Sequence, residues 1–299
     1  MWFAFTLAAI LCWSGSDLFS KLGSAPEDKY SHLKLICAVG LVMGLHALWV
    51  IFIDGFDYEL KSLIIYLPVS ALYIVSMLFG YIGLRYLELS LSSPVCNSSG
   101  ALVALLCFFF LNQSMSGPQL AAVVSICAGV LLLGVLERRR GTEELLKFSG
   151  EVPGKYVRGL KALALPILYC ILDAAGTFAD AYYLNYRLDE ESANISYELT
   201  FASAALLCFI YVFIVKRERL FSGGGRFRLT AAVFETAGQF AYVFALSGNA
   251  IIAAPAIASY SVFSVLWSRL FLKERLPGKY YIAIGLVLAG VAALGIWGE

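Results

Sequence analysis

Ten mostly apolar stretches recur along this chain, at roughly 2–20, 33–53, 63–84, 92–111, 118–136, 161–184, 194–215, 228–247, 250–272 and 280–297. A helix rises about 1.5 Å per residue and the hydrocarbon core of a bilayer is about 30 Å thick, so one crossing takes about 20 apolar residues. Ten such runs leave a soluble fold nowhere to hide them. Composition agrees: 60% of the 299 residues are hydrophobic and 14% are charged, against about 25% charged in soluble domains. The expected fold class is all-α integral membrane, with ten transmembrane helices facing the lipid bilayer.

The second constraint is a repeat. Phe109–Val135 matches Leu270–Ile296 at a constant offset of 161 residues. Phe110-Leu111 pairs with Phe271-Leu272, Gly117 with Gly278, Ala128-Gly129-Val130 with Ala289-Gly290-Val291, and Leu133-Gly134 with Leu294-Gly295. The same offset aligns Ile10-Leu11 with Ile171-Leu172, Gly15 with Gly176, Ser16 with Thr177, Tyr81 with Tyr242, Pro94 with Pro255 and Ser98 with Ser259. The chain therefore divides into a five-helix repeat over 1–137, a connector over 138–160 rich in Glu, Lys and Arg, and a second five-helix repeat over 161–299. Five crossings bring the chain out on the opposite face, so the second repeat enters the membrane upside down. Inverted repeats of this kind place a central site between halves that can open to either side.

Twenty of the 22 Lys and Arg fall in or beside the connectors after helices one, three, five, seven and nine; only Lys61 and Arg187 fall on the other face. Asp54, Asp57 and Glu59, then Asp189, Glu190 and Glu191, dominate that other face. The positive-inside rule puts the basic set in the cytoplasm and both termini outside, with the plasma membrane as the expected location. Met1–Ile10 lacks the basic n-region of a signal peptide.

Two motifs carry a family resemblance. "CWSGSDLFSKL" (Cys12–Leu22) resembles a W-G motif in helix one, and "FLKERLPGKYYIAIGLVLAGV" (Phe271–Val291) resembles an acid-Arg-Leu pattern followed by spaced glycines. With two five-helix halves, the chain resembles the EamA-type branch of the drug/metabolite transporter superfamily along essentially its whole length. The first half departs from the pattern, with Asn112-Gln113 where the second has Lys273-Glu274. The resemblance implies a ten-helix carrier of small polar metabolites that works without ATP hydrolysis. It also implies cytoplasmic termini; the charge split here outweighs that expectation.

Small residues one turn apart in helices five and ten, Ser125 with Gly129 and Gly285 with Ala289, are expected to let backbones approach closely. Pro94 and Pro255 each remove a helix hydrogen bond and are expected to kink their helices at matching depths. The seven cysteines fall in apolar runs without metal spacing and read as small hydrophobes.

Ionisable groups in a bilayer are costly and usually face a cavity or a partner. Helix one carries Trp13, Ser16, Asp17 and Ser20; helix four carries Asn97, Ser98 and Ser99; helix six carries Asp173, Thr177 and Asp180 on one face; helix eight carries Glu235, Gln239 and Tyr242 on one face. Tyr260 adds an aromatic in helix nine. Asp17 and Glu198 stand near expected helix ends, where a carboxylate reaches water as readily as a ligand. His46 reads first as a packing residue, Arg85 and Glu88 as a local pair, and Arg269 as a snorkelling side chain.

Asp173 and Glu235 are harder to dismiss. Each lies mid-segment with no adjacent Lys or Arg, so each is expected to be neutral or to serve a cation. The candidate site is Trp13, Ser16, Asp17, Asn97, Asp173, Thr177, Asp180, Glu235, Gln239, Tyr242 and Tyr260. The expected partners are a small-molecule solute and protons exchanged at Glu235 with help from Asp173. Nucleic acid, metal and cofactor are not expected. Without buried basic groups, anions such as sugar phosphates are disfavoured, and the aromatics suit an amine. The leading expectation is a secondary transporter of small polar or cationic metabolites, amino acids or amines. A lipid-headgroup flippase is the alternative. An intramembrane enzyme ranks last, for want of H-E-x-x-H, G-x-S-x-G or a P-loop.

Overall fold

The computed structural model describes residues 2–24, 28–87, 89–147, 164–218, 224–273 and 278–297. Eleven α-helices are defined among them: α1 (Trp2–Gly23), α2 (Ser31–Phe52), α3 (Leu60–Tyr86), α4 (Leu89–Cys96), α5 (Ser99–Phe110), α6 (Gly117–Lys147), α7 (Ala164–Tyr186), α8 (Glu190–Phe209), α9 (Gly225–Ala258), α10 (Tyr260–Phe271) and α11 (Tyr280–Trp297). Helix α8 runs on as a π-helical turn, Ile210–Val215. Most of the connector between the halves, Glu88 and the charged knot at 274–277 lie outside the described residues.

Nine helical stretches among the described residues are long and apolar enough to cross a membrane. The eighth, Gly225–Phe271, has 47 residues; at about 1.5 Å per residue it is twice the length a bilayer needs. The backbone leaves helical geometry at Asn249 (φ −166°, ψ 91°). The stretch is thus two crossings meeting at one residue, and the total is ten. The connector expected between helices eight and nine shrinks to Asn249.

Two further expectations need correction. Helix four is not continuous over 92–111 but breaks at Asn97-Ser98, between α4 and α5. Ser98 N–H turns to the Val95 carbonyl (3.4 Å) while its hydroxyl takes the Pro94 carbonyl (2.9 Å). The second half breaks at the matching residue, where Ser259 N–H bonds the Ala256 carbonyl at 3.1 Å. Ser98 (φ −64°, ψ −10°) and Ser259 (φ −64°, ψ −11°) adopt one conformation. Each follows its proline, Pro94 or Pro255, by four residues. Helix five also outruns its expected end at 136, because α6 continues to Lys147.

The backbone records the repeat more faithfully than the side chains do. Both hairpin turns leave their helix through a left-handed residue, Asn112 (φ 50°) and Lys273 (φ 57°), again 161 apart. Packing also survives exchange of the halves. Helix α1 lies on α9 as α3 lies on α7, while α2 packs on α8 and α6 on α11, each against its own counterpart. A two-fold axis relates such halves, and five crossings per half put it in the membrane plane.

Close contacts obey the same exchange. A Cβ on Gly129 would come within 2.5 Å of Val287, and one on Gly290 within 2.6 Å of Ile126. Ser125 Oγ donates to the Leu286 carbonyl at 2.9 Å across that seam. Gly285 and Ala289 do not take part: both face outward, with open space beside Gly285. The contact stripe on α11 is Ala283, Val287 and Gly290, one face round from the expected one.

Candidate functional site

The helices surround a central cavity of about 90 Å³. One water needs roughly 10–15 Å³, so the space admits a small solute or several waters. Helix α1 presents Trp13, Ser16, Asp17 and Ser20; α7 presents Tyr169, Asp173 and Thr177; α9 presents Glu235, Gln239 and Tyr242. The break between α4 and α5 brings in Asn97, Ser99 and Gly100, and the start of α10 brings Tyr260. Ten of the eleven expected site residues therefore line one cavity, drawn from both halves.

Asp180 is the exception. It is wholly buried behind the wall, where it accepts hydrogen bonds from Tyr66 and, at 3.3 Å, from Tyr73. The Tyr73 hydroxyl also meets Thr177 Oγ1 at 3.1 Å and the Tyr242 hydroxyl at 2.5 Å. These groups close the cavity at the end of the acidic connectors. Towards the other end the lining continues through Ser20, Leu84 and Ser92, near the ends of α1 and α3 that join basic connectors.

Three carboxylates face the space. Glu235 Oε2 accepts from Ser16 Oγ (2.6 Å), Asp173 Oδ2 from Ser99 Oγ (2.7 Å), and Asp17 Oδ2 from both Ser93 Oγ (2.5 Å) and Ser264 Oγ (2.7 Å). A serine bond satisfies part of each carboxylate and leaves other lone pairs free. Among the described residues no Lys or Arg lines the cavity. Aromatic faces supply much of the remaining wall, with Trp13 packed 4.9 Å from Tyr242 and 5.7 Å from Tyr260 between ring centroids. Such a chamber offers a cation charge, hydrogen-bond acceptors and ring faces together.

Sequence reasoning missed Ser93 and Ser264, the two donors on Asp17. Serines inside apolar helices are common and carry no periodic signal of their own. Tyr81 and Tyr197 also line the cavity; neither was singled out for the site, although Tyr81 figured in the repeat.

Glu198 does not reach water. It is fully buried and within 2.9 Å of His46 Nδ1, with Asn194 Nδ2 donating at 3.2 Å. This pair joins α2 to α8 away from the cavity. At the basic end, Asp28 bonds Lys34 (3.0 Å) and Arg228 (2.8 Å), two cations that are 1% and 2% exposed. Burial opposes ionisation of Asp28, but the bonded Lys34 ammonium, the Tyr30 N–H and the Arg228 guanidinium outweigh it and hold its carboxyl below the usual range. Arg269 stacks over Tyr281 at 5.6 Å.

A family model described as "EamA-like transporter family" matches residues 1–135 and 164–296. A solved structure described only as "Crystal structure of protein" is 17% identical, covers 98% of this chain and 96% of its own, and superposes with a TM-score of 0.63; this shows a shared fold. No curated protein matches the chain.

Proposed function

Because the chain belongs to the EamA-like transporter family, we propose that it is a secondary transporter of small, positively charged metabolites such as amines. The observation that carries this reading is the cavity itself: three carboxylates, Asp17, Asp173 and Glu235, and no lining Lys or Arg among the described residues. A buried carboxylate without a partner is expensive, and an ammonium arriving in the cavity supplies the partner.

The two repeats, 1–137 and 161–299 about the connector 138–160, are the moving parts. The cavity lies between them and reaches from mid-depth towards the basic connectors. By the positive-inside rule that end is cytoplasmic, and the Tyr66–Tyr73–Asp180 cluster closes the opposite, outer end. The termini then lie outside.

Glu235, assisted by Asp173, exchanges a proton for the cationic solute. A proton and a cation compete for one carboxylate, so solute binding releases a proton and weakens as pH falls. Glu235→Gln keeps the shape and the bond to Ser16 but cannot ionise. In proteoliposomes under an imposed pH gradient, wild type should accumulate the amine, and Glu235→Gln and Asp173→Asn should not. Unchanged gradient-driven uptake in both variants would refute the coupling. Recovery of a chemically altered solute would instead indicate an enzyme.

A further inference from the structure

On the reading that the cavity receives a cation, we infer that the solute also carries a neutral hydrogen-bond acceptor, held by Gln239, Trp13 and Tyr81. Gln239 Nε2, Trp13 Nε1 and the Tyr81 hydroxyl belong to residues that line the cavity, and each is shut off from solvent without a hydrogen-bond partner. Gln239 and Tyr81 are 3% and 6% exposed. Unpaired buried donors are rare because each forfeits its bonds to water. With Ser20 Oγ, which is unpaired too, four such groups surround one cavity and mark the place where something else accepts.

The serines beside the carboxylates are already committed. Ser16, Ser99, Ser93 and Ser264 all donate to the carboxylates. The chamber therefore has an acid pole, where an ammonium finds free lone pairs, and a donor pole with nothing to donate to. The reason Tyr81 is free lies in the repeat. Its counterpart Tyr242 bonds the Tyr73 hydroxyl at 2.5 Å, but the counterpart of Tyr73 is Phe234, which has no hydroxyl. Trp13 is placed beside Gln239 by a glycine, since a Cβ on Gly238 would come within 2.7 Å of Trp13 Nε1.

Spacing narrows the solute. Gln239 follows Glu235 by one helical turn on α9, about 6 Å along the axis. An ammonium at Glu235 and an acceptor at Gln239 are spanned by a short chain, as in an amino alcohol or an amino carbonyl compound. A carboxylate in that place would face three acids, so the acceptor is neutral. A simple alkylammonium would leave the three donors unpaired.

Ethanolamine and propylamine test this directly. They match in size and charge, and only ethanolamine has an acceptor where propylamine has a methyl group. Calorimetric titration of the purified full chain in detergent should show ethanolamine binding about 5- to 10-fold more tightly. In Gln239→Leu the preference should fall to within about 2-fold, while propylamine still binds and so reports an intact fold. Glu235→Gln should weaken both amines alike. Equal binding of the two by wild type overturns the acceptor and leaves the cation reading standing. A preference that persists in Gln239→Leu also overturns the assignment. Failure of both amines to bind wild type overturns the cation reading and this inference with it.

Discussion

Tyr66, Tyr73 and Asp180 form a buried polar cluster between α3 and α7. Shifted by 161 residues, the same three places hold Phe227, Phe234 and Phe19. There the rings stack, Phe19 on Phe234 at 5.6 Å and on Phe227 at 6.4 Å. One backbone site thus carries hydrogen bonds to a carboxylate at the acidic end and ring stacking at the basic end. Backbone breaks, left-handed turn residues and the Gly129 and Gly290 contacts obey the two-fold exchange; the ionisable side chains do not. Asp17, Asp173 and Glu235 stand opposite Phe178, Cys12 and Ile74. Shape is set by packing that works equally in both orientations, whereas the charge needed for one solute has to be supplied only once. The two seals also differ in kind. The hydroxyl cluster is directional and breaks when its geometry is lost, while phenyl rings slide with little loss.

Exchanging the chemistries should have the largest effect. Phe19→Asp puts a carboxylate against two phenyl rings and should cost about 3 kcal/mol of stability in denaturant unfolding. Adding Phe227→Tyr and Phe234→Tyr should recover at least half. In reverse, Asp180→Leu leaves the Tyr66 hydroxyl without its acceptor and should cost about 2 kcal/mol. Adding Tyr66→Phe and Tyr73→Phe should restore stability to within about 1 kcal/mol. If either triple variant is no more stable than its single variant, the clusters are not interchangeable solutions.

Asp28 and Asp189 make a smaller contrast, 161 residues apart. Asp28 binds two buried cations, so Asp28→Asn should cost about 2 kcal/mol. Because the folded carboxyl lies below its ordinary value, its contribution is present above about pH 4 and is lost as pH falls through the folded value. The acid limb of unfolding should flatten in Asp28→Asn. Asp189 caps α8 by accepting from Ser192 N–H at 2.8 Å, a role Asn fills, so Asp189→Asn should stay within about 0.5 kcal/mol. Equal losses at both sites would contradict this division of labour.

The seam between α6 and α11 should behave symmetrically. Gly129→Ala and Gly290→Ala should each cost about 1–2 kcal/mol through overpacking and should match one another. Gly285→Ala, facing open space, should lie within about 0.5 kcal/mol of wild type. Unequal losses at Gly129 and Gly290 would break the two-fold exchange at its tightest contact.

Gly and Pro spacing made the repeat legible, because these residues mark backbone positions whatever surrounds them. The cavity faces were legible where polar residues recur at one helical turn, as in Asp173–Thr177 and Glu235–Gln239. Asp180 continues the same polar stripe on α7, and only its contact with α3 turns it away from the cavity. The breaks at Ser98 and Ser259 were not legible, since each shifts one main-chain bond and leaves hydrophobic periodicity untouched. Glu198 stood open between water and a ligand because distance from a helix end says nothing of what packs there, in this case His46 of α2. The phase of α11 was misread because Gly285 and Gly290 carry equal signals in a stripe that is apolar all round.

The most direct test of the acidic, cation-receiving cavity is proton release. The purified full chain, in weakly buffered solution with a pH-sensitive dye, is mixed with ethanolamine at neutral pH, then with an equal concentration of a sugar phosphate. The predicted result is release of a proton on ethanolamine binding and none with the sugar phosphate, with the release abolished in the Glu235→Gln/Asp173→Asn double variant. Ethanolamine binding without proton release, or a response to the sugar phosphate that persists in the double variant, would contradict the account.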